Sequence, residues 1–80
     1  MLRINGRTRL MKSELEEILE YSGITEIQYE IIRLKFYDKN DYSVRKICDT
    51  LMISDGAYYY QVRQAVEQVN MYFNSKNATQ

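Results

Sequence analysis

The residues able to do chemistry in this chain gather in one stretch, Ser54-Asp55-Gly56-Ala57-Tyr58-Tyr59-Tyr60-Gln61-Val62-Arg63-Gln64. Three successive tyrosines lead into Gln61-Val62-Arg63-Gln64, an arginine with two glutamines close by. Arginine donates a fork of hydrogen bonds to guanine, and glutamine pairs in the equivalent way with adenine. Tyrosine offers a ring edge to a thymine methyl and a hydroxyl to a phosphate or a base. Tyr59, Tyr60, Gln61, Arg63 and Gln64 therefore form a candidate base-reading set. Ser43, Arg45, Lys46 and Ser54 form a candidate phosphate-contacting set, which would fix register without reading sequence.

Other chemistry is poorly supplied. The chain has no histidine, which removes imidazole acid–base work, Ser–His and Cys–His nucleophile pairs, and imidazole zinc sites. One cysteine excludes thiolate clusters, and three glycines make no phosphate-cradling loop. An enzyme is not expected, nor is a cofactor or a bound metal. Cys48 has no partner for an internal disulfide, so a reducing cytoplasm is the natural setting and a small buried hydrophobe its natural role. No apolar run approaches the roughly 20 residues that cross a bilayer, and no membrane association is expected.

Eighty residues allow one domain, which buries only about 60 % of the surface its unfolded chain exposes. Proline is absent, and helix-start signals recur. Ser13-Glu14-Leu15-Glu16 reads as a capping box, followed by Leu15, Ile18 and Leu19 on one face and Gly23 as a left-handed stop. Thr25-Glu26-Ile27-Gln28 repeats the device, with Ile27, Ile31, Leu34 and Phe36 as its stripe. Asp38-Lys39-Asn40-Asp41 breaks the pattern as a loop. Ser43 is a third N-cap before Val44, Ile47, Cys48 and Leu51, and Ser54 a fourth. On the last helix, at 100° per residue, Tyr58, Val62, Ala65, Val66, Val69, Tyr72 and Phe73 share one apolar arc. Tyr60, Arg63, Gln64 and Glu67 oppose it, with Tyr59 and Gln61 on the flanks. Tyr58 belongs to the core by position, and its two neighbours do not.

Net charge is zero, but its distribution is blocked. Residues 1–12 carry +4, residues 13–30 carry −6 and residues 31–46 carry +3. The acidic block is read as the wet face of the first helix. Residues 1–12 are read as a basic N-terminal arm in which Arg3, Arg7 and Arg9 would reach a minor groove, as arms do in other DNA-binding domains, or else stay solvated. Residues 74–80 are read as a disordered polar tail.

The expectation is thus an all-α, compact four-helix domain over residues 13–73, with a helix-turn-helix over 43–70. The segment from Ile24 to Asn70 also resembles region 4 of sigma-70-type factors and the small region-4-like regulators of bacteria and phages. The matching positions are Ile24, Thr25 and Glu26; Ile31, Arg33 and Leu34; Ser43, Ile47, Cys48 and Leu51; Ile53, Ser54, Gly56 and Ala57, with Tyr58 at a valine position. Met52 stands where the family has a turn glycine, the loop 38–42 is longer, and the last helix is poorer in bases. The resemblance implies a transcriptional regulator reading double-stranded DNA with residues 55–73, of phage or mobile-element type. The alternative is a helix-turn-helix module that binds protein: RNA polymerase, a sigma factor or other host machinery. Met71, Tyr72 and Phe73 either pack on the first helix or form the seam of a homodimer.

Overall fold

The computed structural model describes residues 2–40 and 42–78. Met1 of the N-terminal arm, Asp41 of the loop, and Thr79 and Gln80 of the tail lie outside the described residues. The described residues are all-α, with four helices: α1 Lys12–Tyr21, α2 Glu26–Ile32, α3 Val44–Leu51 and α4 Asp55–Ala78. A π-helical turn, Arg33–Tyr37, extends α2. At 24 residues α4 is about 36 Å long and spans a molecule measuring 40 × 23 × 23 Å. It packs on α2 and α3, while α1 packs on the π-helical turn. No described helix is long and apolar enough to cross a membrane.

Local signals explain most of the boundaries. Thr25 caps α2 as expected, its hydroxyl accepting from the Gln28 amide at 3.3 Å while the Gln28 side chain accepts from the Thr25 amide at 3.1 Å. Ser43 and Ser54 cap α3 and α4, accepting from the amides of Lys46 and Ala57. Gly23 takes φ +80° beyond the end of α1, as a left-handed stop requires. The start of α1 differs from the expected box at Ser13. The helix begins at Lys12, and Glu14 accepts from the Met11 amide at 2.8 Å, two residues earlier than read. Glu14 also pairs with Arg7, which draws the start of the helix toward the N-terminal segment.

Residues 2–11 and 74–78 are more ordered than their composition suggests. Residues 74–78 continue α4 and are not a disordered tail. The reason is visible at Lys76, which binds Glu17 of α1 at 2.5 Å. The N-terminal segment is not a free arm either. Asn5 and Gly6 both take positive φ, 52° and 78°, and Ile4 and Arg7 exchange two backbone hydrogen bonds of 2.8 and 3.0 Å. That is the Asn-Gly tight turn, whose two central residues need left-handed conformations. It buries Ile4 completely, worth about 1.5–3 kcal/mol, and Leu10 follows it into the core.

The π-helical turn receives this segment. As the last carbonyls of the helix, those of Phe36, Tyr37 and Asp38 have no intrahelical partner. Phe36 O accepts from the Leu10 amide at 2.9 Å, and the Arg9 guanidinium donates to the carbonyls of Tyr37 and Asp38 at 3.2 and 3.0 Å. On the other side Asn70 of α4 clasps the turn. Its side-chain oxygen accepts from the Asn5 amide at 2.8 Å and its nitrogen donates to Arg3 O at 2.9 Å.

Glu17, Tyr72 and Lys76 tie α1 to the end of α4. One Glu17 oxygen accepts from both the Lys76 ammonium and the Tyr72 hydroxyl. Lys76, and then Tyr72, hold the Glu17 carboxyl below its usual range, while Glu17 pushes the Tyr72 phenol up to about 12. A carboxylate depressed in the folded state contributes stability above its unfolded value and loses it as pH falls through the folded one. Wild type should therefore lose more urea resistance than Glu17→Gln as pH falls through and below the ordinary carboxylate range, while being the more stable of the two at pH 7. Parallel pH profiles for the two chains would remove Glu17 from the acid response. Tyr72 is half-buried in this cluster and Phe73 is buried, so both pack within the domain.

The turn between α3 and α4 is Met52-Ile53-Ser54. Met52 takes the left-handed conformation, φ 56° and ψ 48°, in place of the resembling family's glycine. Its amide donates to Asp49 O and the Ile53 amide donates to Cys48 O at 3.0 Å, closing a Schellman motif. A β-carbon there costs about 1–2 kcal/mol, and the side chain is 89 % exposed, so it recovers little by packing. Met52→Gly should raise stability by about 0.5–1 kcal/mol after the unfolded-chain entropy of glycine is counted. Thermal unfolding should shift up by several degrees. A downward shift would show that the methionine makes contacts that outweigh the backbone strain.

Candidate nucleic-acid interface

The α3–turn–α4 unit builds the site. Ser43 and Ser54 set the starts of the two helices, and Ile47, Cys48, Tyr58 and Val62 anchor them in the core. Burial pushes the Cys48 thiol up, which keeps it an inert packing group. From this base the first two turns of α4 sort their tyrosines sharply. Tyr58 is 1 % exposed, Tyr59 57 % and Tyr60 64 %. The helical period alone does this, because successive side chains lie 100° apart.

Tyr59 is not loose. Its ring meets that of Tyr58 edge-on, with centroids 5.2 Å apart and planes at 79°. The Tyr58 hydroxyl is buried without a hydrogen-bond partner, and burial raises its pKa, so it stays a neutral phenol. Beyond Tyr60 the exposed strip continues through Arg63 and Gln64. Gly56, in the first turn, has nothing within 4 Å of where a β-carbon would sit, so the helix start is open to close approach.

Of the five base-reading candidates, Tyr59, Tyr60, Arg63 and Gln64 are exposed. Gln61 is corrected. It is half-buried, and its side-chain oxygen accepts from Gln28 of α2 at 2.9 Å. The same Gln28 completes the Thr25 capping box, so Gln61 serves a structural lock between α2 and α4. Arg45 and Lys46 are exposed in the first turn of α3, beside the Ser43 cap. Ser43 and Ser54 use hydroxyl lone pairs for capping, which leaves each hydroxyl proton able to donate to an anion.

Arg3, Arg7 and Arg9 are also corrected as an extended arm. Arg7 is paired with Glu14, Arg9 is bonded to two carbonyls, and the backbone of Arg3 is held by Asn70. Sequence reading missed Asn70 and the Asn5-Gly6 turn, although Asn-Gly after an isoleucine was a usable signal. It also missed that Met52 presents a nearly fully exposed side chain at the turn.

The charge around the unit is mixed. Arg45, Lys46 and Arg63 are accompanied by Asp49, Asp55 and Glu67, all exposed. Among the described residues no cluster of His, Cys, Asp or Glu is arranged to hold a metal ion. No family model, no curated protein and no solved structure matches this chain.

Proposed function

We propose that the domain is a sequence-specific DNA-binding transcriptional regulator, with α3–turn–α4 as its helix-turn-helix. The N-terminal half of α4 enters the major groove, and Tyr59, Tyr60, Arg63 and Gln64 meet base edges. Arg45 and Lys46, with the hydroxyls of Ser43 and Ser54, contact the phosphates that set the register. The observation that carries this reading is the outward strip Tyr60–Arg63–Gln64 on a helix whose neighbouring Tyr58 is buried. Of the two adjacent aromatics on that face, Tyr59 rests edge-on against Tyr58, while Tyr60 makes no described ring contact or hydrogen bond. A lone reduced cysteine suits a cytoplasmic regulator, and the domain's phage or mobile-element type rests on the family resemblance alone.

A second reading has its own support. The bases of the unit are matched by Asp49, Asp55 and Glu67, and Met52, Tyr59 and Tyr60 expose a largely apolar surface. Tyrosine, methionine and arginine are favoured at protein interfaces. On this reading the same strip binds RNA polymerase, a sigma factor or other host machinery.

Selection from a pool of random duplexes at two salt concentrations separates the two. An enriched motif, bound with log K falling against log salt, supports the DNA reader. No motif and no salt-dependent binding would end that reading and favour the protein-binding one.

A further inference from the structure

We propose that the clasped N-terminal turn is a second DNA contact, seating a backbone phosphodiester of the same duplex, with Arg3 as the contacting residue. The inference rests on the DNA-reading function and adds a site to it.

Three observations carry it. The first is position. Asn70 lies seven residues beyond Arg63, within about 20° of it around the helix and about 10 Å further along α4. Asn70 holds Arg3 O and the Asn5 amide, so the turn sits on the Arg63 flank of α4 and not on the flank where Gln61 meets α2. A duplex whose major groove receives Arg63 passes its sugar-phosphate wall along this flank.

The second observation is charge. The turn borders an open concavity of about 540 Å³ lined by Arg3, Gly6, Arg7, Thr8, Arg9 and Leu10, with Met11 at its edge. Glu14 offsets Arg7. Arg9 donates to two neutral carbonyls, which fix its guanidinium without cancelling its charge. Asp38 pairs with Arg33 at 3.9 Å, and the exposed Glu67 of α4 lies three residues before Asn70. Arg3 has no ion-pair partner among the described residues. In a chain of zero net charge this is a concentrated positive corner.

The third is rigidity. Ile4 is fully buried, and nothing lies within 4 Å of where a β-carbon on Gly6 would sit, so the turn is anchored below and open above. A disordered arm loses conformational entropy when it meets a phosphate, whereas this turn is ordered beforehand. It also lacks the reach of an arm, which assigns it to the backbone and not to the floor of a minor groove.

The test uses the full chain and the duplex selected for it. Arg3→Gln removes one exposed charge and no described side-chain contact. Affinity should fall about 3–10-fold at low salt, with the slope of log K against log salt shallower by about 0.9. Arg3→Lys should restore the slope, because the charge is returned. An unchanged slope and affinity in Arg3→Gln overturns the second contact and leaves the α4 reader standing. No duplex binding by wild type overturns both. Inorganic phosphate, titrated without DNA, should give no saturable shift of the Gly6 and Thr8 amide resonances at millimolar concentration. Saturation there would overturn the duplex assignment in favour of a free-anion site.

Discussion

Tyr58→Ala is expected to leave this chain close to its unfolding threshold at 25 °C. A domain of eighty residues has a total stability of about 4–12 kcal/mol. Truncating a fully buried aromatic costs about 3–5 kcal/mol, because transfer energy is lost and a cavity remains. Tyr58 is 1 % exposed at the junction of α3 and α4, where little backbone freedom exists to collapse the void. Its hydroxyl, however, is buried without a partner, which costs about 1–3 kcal/mol on its own. Tyr58→Phe should therefore be neutral or stabilising by up to about 1 kcal/mol, the opposite sign from the alanine change. Tyr59→Ala should cost about 1 kcal/mol, through the lost edge-to-face ring contact, and Tyr60→Ala less than about 0.5 kcal/mol. Urea midpoints of the four variants check the order. Should Tyr58→Phe destabilise strongly, the hydroxyl has a partner in solution, and a buried water bridging it is the natural one.

These three tyrosines also mark how far the sequence could be read. The arc at 100° per residue separated Tyr58 from its neighbours, because the core spacing on α4 is long and regular. The same arithmetic put Gln61 only on a flank, and a flank position is decided by what packs beside it. Gln28 of α2 was that neighbour, and nothing local to Gln61 names it. The caps at Thr25, Ser43 and Ser54 were legible since each is a contact between residues three apart. The cap of α1 was not, since Glu14 answers both the Met11 amide and Arg7, a choice made by the folded N-terminal turn. That turn and the last helical turns of α4 read as disorder because charge and polarity dominate both ends. Their order comes from long-range partners: Asn70 and the carbonyls of Phe36, Tyr37 and Asp38 for one, Glu17 for the other. The π-helical turn likewise has partners that nothing local names: its terminal carbonyls accept from Leu10 and Arg9.

The double variant Tyr60→Ala/Arg63→Ala is expected to bind the selected duplex about 30–1000-fold more weakly than wild type while unfolding at nearly the same urea concentration. A bidentate arginine–guanine pair discriminates by about 1–3 kcal/mol, and a tyrosine contact adds about 1 kcal/mol, which together give that range. Both side chains are exposed and neither has a described hydrogen-bond partner, so the fold should not register the change. The informative comparison is with a scrambled duplex of the same length. If the strip reads bases, affinity for the selected duplex falls toward that for the scrambled one, which itself changes little. If both affinities fall together, with a shallower salt slope, Arg63 acts on a phosphate and sequence is read by Tyr59 and Gln64. If neither moves, while capture of polymerase or another host protein is lost, the same two side chains are anchors of a protein interface. The strip keeps its significance in each case, because the folding of α4 leaves Tyr60 and Arg63 exposed and without a described hydrogen-bond partner, and the group that meets them decides the chemistry.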